Sequence, residues 1–198
     1  MDELTKLTPT AWALIGIAAA LGFALSWAIR WYRHYRARKA LRAAVTGGTS
    51  EHLIDTLVPD GMGAGFHVDY LLLTMRGVVV IDLRDVKGNI FGGDQMAEWT
   101  VMDGAQRFTF TNPQGALYDR IAAVKAIAGD VPVEGRIVFT RRGEFPKGLP
   151  KWTVMLDALR GEFASPDFDA PTDAAAQYRE GWERIKTAVK PSYMVDMR

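Results

Sequence analysis

The pattern of hydrophobic and polar positions begins with one long apolar stretch. Eighteen residues from Trp12 to Ile29 carry no formal charge, and a helix of that length rises about 27 Å, close to the thickness of a bilayer core. Aromatic residues flank the stretch, and cations follow it directly at Arg30, Arg33, Arg36, Arg38, Lys39 and Arg42. Because such cations stay on the cytoplasmic side, the pattern predicts one membrane-spanning helix with the remaining chain inside. A buried helix of a soluble domain is the alternative.

The cations define a second segment with its own chemistry. The residues from Arg33 to Val45 predict a continuing basic helix that ends at Gly47 and Gly48. A basic juxtamembrane helix binds anionic lipid headgroups, and the same cations can neutralise nucleic-acid phosphates. Gly16 and Ala20 are spaced for close helix contact, so a protein partner or homo-oligomer is a further hypothesis. We therefore divide the chain into an anchor with its basic helix, 1–45, and a soluble domain, 46–198.

In the soluble domain, the hydrophobic positions recur with a period of two after a turn-rich link. Ser50 predicts the cap of a short helix from Glu51 to about Leu57. From Phe66 to Leu83, two apolar runs on either side of Met75-Arg76-Gly77 predict a β-hairpin with both faces covered.

The rest of the domain alternates between strands and helices. Asp103-Gly104 predicts a hairpin turn, and Asn112-Pro113 predicts the start of a helix that ends near Ala128. The remaining predictions are strands at 89–91, 99–102, 107–111 and 137–140, a helix or strand at 152–159, and a helix at 172–189. This order indicates an α/β fold with a mixed β-sheet flanked by helices.

The composition excludes several classes of protein and several kinds of site. The 198 residues are 48% apolar and 24% charged with a formal charge of +1, which excludes a disordered charged tail. The absence of cysteine excludes disulfides, thiolate zinc sites and cysteine nucleophiles.

Three charged residues lie within the apolar hairpin: Asp69, Asp82 and Arg84. A buried carboxylate costs several kcal/mol unless it is paired, hydrogen-bonded or bound to metal. Pairing across the hairpin brings Asp69 within reach of Asp82 and Arg84. Two carboxylates can hold Mg²⁺ or Mn²⁺, which polarises a phosphodiester and activates water, while a neighbouring cation stabilises the transition state.

The stretch from Glu51 to Thr140 resembles the nuclease-related domain (NERD) family of the restriction-endonuclease-like superfamily. The matching pieces are Val68-Asp69-Tyr70, Gly77 with Ile81-Asp82-Leu83-Arg84, Gly88-Asn89-Ile90, Trp99, Asn112-Pro113-Gln114, and Ile137-Val138-Phe139-Thr140.

The resemblance implies a fold and a set of site residues. It implies a restriction-endonuclease-like sheet in which Asp69 and Asp82 bind metal. Glu51, which matches an early helical glutamate of the family, is the third candidate metal ligand. Arg84 stands where the family has lysine, and arginine is bulkier and effectively never deprotonated. Lys87 is a candidate replacement for that lysine. His67 is a candidate additional ligand, although a histidine beside a strand is more often structural.

Two functions follow from these expectations. The first is a single-pass inner-membrane protein whose cytoplasmic domain hydrolyses nucleic-acid phosphodiesters with a divalent metal. The second is a catalytically degenerate, membrane-tethered binding or scaffolding module. Arg84 discriminates between them, because a bidentate pair made by Arg84 in the pocket between Asp69 and Asp82 would close the metal site.

Overall fold

The computed structural model describes residues 9–47, 49–163 and 176–192. The chain divides into two compact units between Ala43 and Ala44. The first unit is the greater part of helix α1, Pro9–Thr46. The predicted division into an anchor, 1–45, and a soluble domain, 46–198, stays a prediction, and each unit is described by itself.

Helix α1 contains both the predicted span and the basic segment. Among the residues that the structure describes, no helix combines the length and the apolar character needed to cross a membrane. The predicted span from Trp12 to Ile29 is therefore helical but is not supported as an anchor. The side chains at 9–11 and 13–15 lie outside the described residues. The predicted inner-membrane location, lipid contact and oligomer stay predictions.

The second unit is a mixed α/β fold with two mixed sheets. The larger sheet has the strand order β10-β1-β2-β3-β7-β9, and the smaller has β6-β5-β4-β8. The strands are β1 Glu51–Val58, β2 Phe66–Thr74, β3 Gly77–Arg84, β4 Gly88–Phe91, β5 Glu98–Asp103, β6 Gln106–Thr111, β7 Val133–Phe139, β8 Gly143–Glu144, β9 Thr153–Met155 and β10 Lys190–Pro191. The helices are α2 Pro113–Ala128, α3 Leu156–Phe163 and α4 Arg179–Ala188, preceded by a 3-10 turn at Ala176–Tyr178. The part of the predicted helix at 172–175 lies outside the described residues.

The hairpin and the crossover helix are confirmed. Strands β2 and β3 pair antiparallel from Thr74 and Gly77 outward, so the turn falls at the predicted place. Helix α2 begins at Pro113, where the Asn112 side chain accepts the Gln114 backbone N–H. It follows β6 and leads into β7, so that it lies in the long crossover between β3 and β7, which pair in parallel. The two faces of this sheet bury separate apolar clusters, one of which contains α2 residues and the other Leu159 of α3.

The predicted helix from Glu51 to Leu57 is wrong, because these residues form strand β1. Its backbone pairs with β2 along nearly its whole length, and the Ser50 N–H donates to the Leu73 carbonyl at 3.0 Å. Strand β10 pairs with its other edge. Hydrogen bonds from two neighbouring strands thus outweigh the local capping signal at Ser50.

Candidate active site

The predicted acids lie where the pairing of β2 with β3 ends. The last paired residues are Tyr70 and Ile81. Two residues after Ile81, the Leu83 backbone N–H donates at 2.7 Å to Oδ2 of Asp69, the residue before Tyr70. The Asp69 side chain therefore takes the place of a backbone carbonyl and occupies the gap between the strands.

Asp82 is buried and is paired with two arginines. Its side chain is 4% exposed, and Arg84 Nε lies 2.7 Å from Asp82 Oδ1 while Arg84 Nη2 donates to Asp82 Oδ2 at 2.8 Å. Arg120 Nη1 donates to the same Oδ2 at 3.2 Å. Oδ2 thus accepts hydrogen bonds from two guanidinium groups, and Oδ1 contacts Arg84 Nε at ion-pair distance, although that nitrogen makes no hydrogen bond within the described residues. These contacts compensate the buried charge.

Arg120 links this carboxylate to the crossover helix. Besides Asp82, it contacts strand β2, since Arg120 Nε donates to the His67 backbone carbonyl at 2.6 Å. One side chain of α2 therefore bonds to both strands of the hairpin. The sequence pattern places Arg120 off the apolar stripe of α2, and its partner in the sheet becomes visible only once the helix is packed.

The structure brings a second group of ligand-type side chains together: Asp55, His67 and Asp69. His67 Nε2 lies 3.7 Å from Asp55 Oδ1, and His67 Nδ1 lies 3.8 Å from Asp69 Oδ1. One ligand atom from each of the three side chains lies within 4.8 Å of the other two. This group could hold a metal ion, and it does not include Asp82.

Asp55 reaches this group through a break in the sheet. Ile54 pairs with Tyr70 and Thr56 with Val68, so Asp55 faces Asp69 across the interruption between these pairs. Its backbone is left-handed, with φ 51, which costs about 1–3 kcal/mol for a non-glycine residue and is common at functional sites. Asp55 is not among the predicted site residues, because the sequence pattern predicts a helix over residues 51–57.

Glu51 and Lys87 are not brought together with Asp69 and Asp82. Glu51 pairs with Leu73, four residues along β2 from Asp69, or about 13 Å away at the rise of a strand. Lys87 Nζ instead contacts Asp103 Oδ2 at 3.0 Å. The early glutamate and the replacement cation of the resemblance therefore lie outside this site.

Glu51 instead joins β1 to α4. Trp182 Nε1 donates to Glu51 Oε2 at 2.8 Å, and Arg179 and Lys186 pair with the same carboxylate. The indole hydrogen bond from Trp182, together with Lys186 and Arg179, holds the pKa of Glu51 below its ordinary value of 4.5 in spite of desolvation. This glutamate is a structural contact.

Comparison with known proteins agrees with the sequence motifs. Residues 33–140 match the family model described as nuclease-related domain. The matched region contains Asp55, His67, Asp69, Asp82 and Arg120. No curated protein and no solved structure matches the chain.

We predict that Asp82→Asn destabilises the fold by about 3–5 kcal/mol, because it leaves the two guanidinium groups without their buried counter-charge. Urea unfolding followed by circular dichroism measures the change. The matched control is Asp157→Asn, whose carboxylate is 54% exposed and pairs with the exposed Arg141, and we expect a loss within about 1 kcal/mol there. Equal losses in the two variants would contradict a special role of Asp82.

We predict that Glu51→Gln weakens the acid sensitivity of the fold. Since the folded-state pKa of Glu51 lies below the unfolded value near 4.5, its contribution to stability is present above that value and is lost as pH falls through the folded pKa. The melting temperature of the wild type should therefore drop more steeply than that of Glu51→Gln over this range. Glu180→Gln, at a carboxylate that is 89% exposed, should retain the wild-type slope.

Proposed function

Because the chain belongs to the nuclease-related domain family, we propose that it binds nucleic acid through its basic helix and has lost magnesium-dependent hydrolysis at Asp69 and Asp82. The family assignment rests on the match of residues 33–140, more than half of the chain. The loss of hydrolysis rests on one observation, the pairing of Asp82 with Arg84 and Arg120.

The pairing of Asp82 disfavours a metal ion at the family position. Magnesium binds carboxylate oxygens at about 2.0–2.1 Å in octahedral geometry. Both oxygens of Asp82 already contact guanidinium nitrogens at 3.2 Å or less. A dication there would have to displace arginines that never deprotonate, and it would be repelled by them.

The substitution of the family lysine by arginine has a structural role in this proposal. Arg84 is two residues from Asp82 on β3 and engages both of its oxygens. The planar fork of arginine allows this bidentate contact, which the point charge of a lysine ammonium does not reproduce. Arg84 thus fills the place in which a lysine would orient the attacking water.

The basic part of α1 supports binding of a phosphate backbone. The six cations between Arg30 and Arg42 are all exposed, and no acidic residue lies between Glu3 and Glu51. Along the helix they extend for about 18 Å, enough to follow several phosphates of one strand, whose spacing along the duplex axis is about 3.4 Å. The family match begins at Arg33 and so includes five of the six.

Metal-dependent phosphodiester hydrolysis is the second candidate. It is favoured by Asp69, which stands at the first metal-binding position of the resemblance and lies beside His67 and Asp55. The two candidates differ in turnover and not in the surface that contacts nucleic acid.

We predict that the full-length protein binds fluorescein-labelled duplex DNA with an affinity that falls steeply with salt. The triple variant Arg33→Gln, Arg36→Gln, Arg38→Gln should flatten the plot of log K against log salt by about 2–3 units, since each lost phosphate contact removes about 0.9. Fluorescence anisotropy measures both quantities. As a control, Arg107→Gln, Lys125→Gln, Lys147→Gln removes three exposed cations elsewhere and should retain the wild-type slope. A triple α1 variant that binds like the wild type would overturn the assignment of this surface.

We predict that the wild-type protein leaves labelled duplex DNA and single-stranded RNA intact with Mg²⁺ or Mn²⁺, because Asp82 is closed to the ion. The products are resolved on denaturing gels. Cleavage that disappears in both Asp69→Asn and Asp82→Asn, and persists in Asp157→Asn prepared in the same way, would favour the second candidate. Cleavage that persists in all variants identifies a contaminating nuclease. The wild-type protein is then purified further, and the assay is repeated until the contaminating activity is gone.

A further inference from the structure

We infer that Asp55, His67 and Asp69 form a binding site for a divalent transition-metal ion, such as Zn²⁺ or Mn²⁺, between strands β1 and β2. The site does not use Asp82, the second acidic position of the family resemblance. It also does not depend on the proposed nucleic-acid binding, since none of its ligands lies on α1.

The spacing of the three side chains fits a shared ion better than hydrogen bonds. The two distances from the His67 ring to the aspartates are 3.7 and 3.8 Å, longer than a hydrogen bond between nitrogen and oxygen. Ligand atoms at about 2.1 Å from one tetrahedral ion lie about 3.4 Å apart. The two short distances involve different ring nitrogens, and one ion binds only one of them. With one ligand atom taken from each side chain, all three atoms lie within 4.8 Å of one another, so side-chain rotation can bring them to a shared ion.

The histidine supplies an independent observation. His67 Nε2 is buried from solvent and has no hydrogen-bond partner within the described part of the chain. A buried polar atom normally finds a partner in the protein, in water or in a bound ion. This nitrogen lies beside the Asp55 carboxylate, so a metal ion would satisfy it and join it to the neighbouring aspartate.

The backbone around the site is arranged for the same contact. Asp55 takes a left-handed conformation inside β1 and faces Asp69 across the break in pairing with β2. Asp69 is fixed by the Leu83 N–H on its Oδ2, and its Oδ1 is the atom nearest the histidine ring. One carboxylate from each strand thus flanks the imidazole.

The donor set selects the class of ion. Carboxylates alone suit Mg²⁺ and Ca²⁺, whereas an imidazole favours zinc and other transition metals. Three protein ligands leave a coordination position for water or an anion, as in catalytic zinc sites. The side chains of the three ligands are 18–29% exposed, so an ion can enter from solvent.

Isothermal titration calorimetry of the full-length, chelator-treated protein tests the inference, with ZnCl2, MnCl2 and MgCl2 as separate titrants. We expect one Zn²⁺ per chain, weaker binding of Mn²⁺ and much weaker binding of Mg²⁺. His67→Gln should lower the Zn²⁺ affinity at least about tenfold. It should also abolish the rise in melting temperature that an ion bound only to the folded state produces.

The chain contains its own matched control. Its three histidines are His34, His52 and His67, and the first two are exposed. The double variant His34→Gln, His52→Gln leaves only His67 and should bind Zn²⁺ like the wild type. If the double variant loses the ion and His67→Gln retains it, binding is to surface histidines and the inference fails.

If the wild-type protein binds no Zn²⁺, the inference also fails. Circular dichroism of each apo variant checks that it folds, and should His67→Gln unfold, the isosteric Asp55→Asn replaces it. Loss of the ion in Asp55→Asn supports the inference, and unchanged affinity rejects it. Neither result alters the DNA affinity or its salt slope, so the metal site and the proposed function can fail separately.

Discussion

The arrangement of this domain depends on the pairing of the buried Asp82 carboxylate with Arg84 and Arg120. Asp82 lies on β3, between β2 and β7 in the larger sheet. Arg84 joins it from the same strand, and Arg120 joins it from α2 while bonding to the backbone of β2. A single acid thus connects the hairpin to the crossover helix. Since an unpaired charge at this depth is expensive, the helix must pack where Arg120 can reach it.

Elements with a strong periodic or turn signal could be predicted from the sequence. The β2–β3 hairpin is marked by two apolar runs around a glycine-containing turn, and the start of α2 is marked by Asn112-Pro113. Strand β1 could not be predicted in this way. Its cap-like Ser50 and mixed polarity resemble a helix start, and only pairing with β2 and β10 decides for a strand. The residues that decide this conformation lie in other segments of the chain, namely β2 and β10.

The site residues also divide into those that a local sequence motif predicts and those that only tertiary contacts bring into the site. Asp69, Asp82 and Arg84 belong to a local motif, so the sequence predicts them as site residues and also predicts that a bidentate pair made by Arg84 would decide whether the site is open. Arg120 is 38 residues from Asp82, and its role follows from how α2 packs on the sheet. Asp55 joins His67 only through the register of a strand that was assigned as a helix. Arg120 and Asp55 therefore could not be predicted, because their roles depend on tertiary contacts and not on residue type.

Charge balance explains how the fold can persist under the proposed loss of hydrolysis at the family position. Two carboxylates and one divalent ion sum to zero, and Asp69 and Asp82 with Arg84 and Arg120 give the same sum. The arginines can therefore stabilise the buried acid as an ion would. They cannot lower the pKa of a bound water or accept it as a ligand, because guanidinium groups carry no open coordination position. Substituting arginine for metal thus retains the electrostatics that the fold needs and removes the chemistry that hydrolysis needs. Asp69 accepts the Leu83 N–H through its Oδ2, and its Oδ1 lies beside His67.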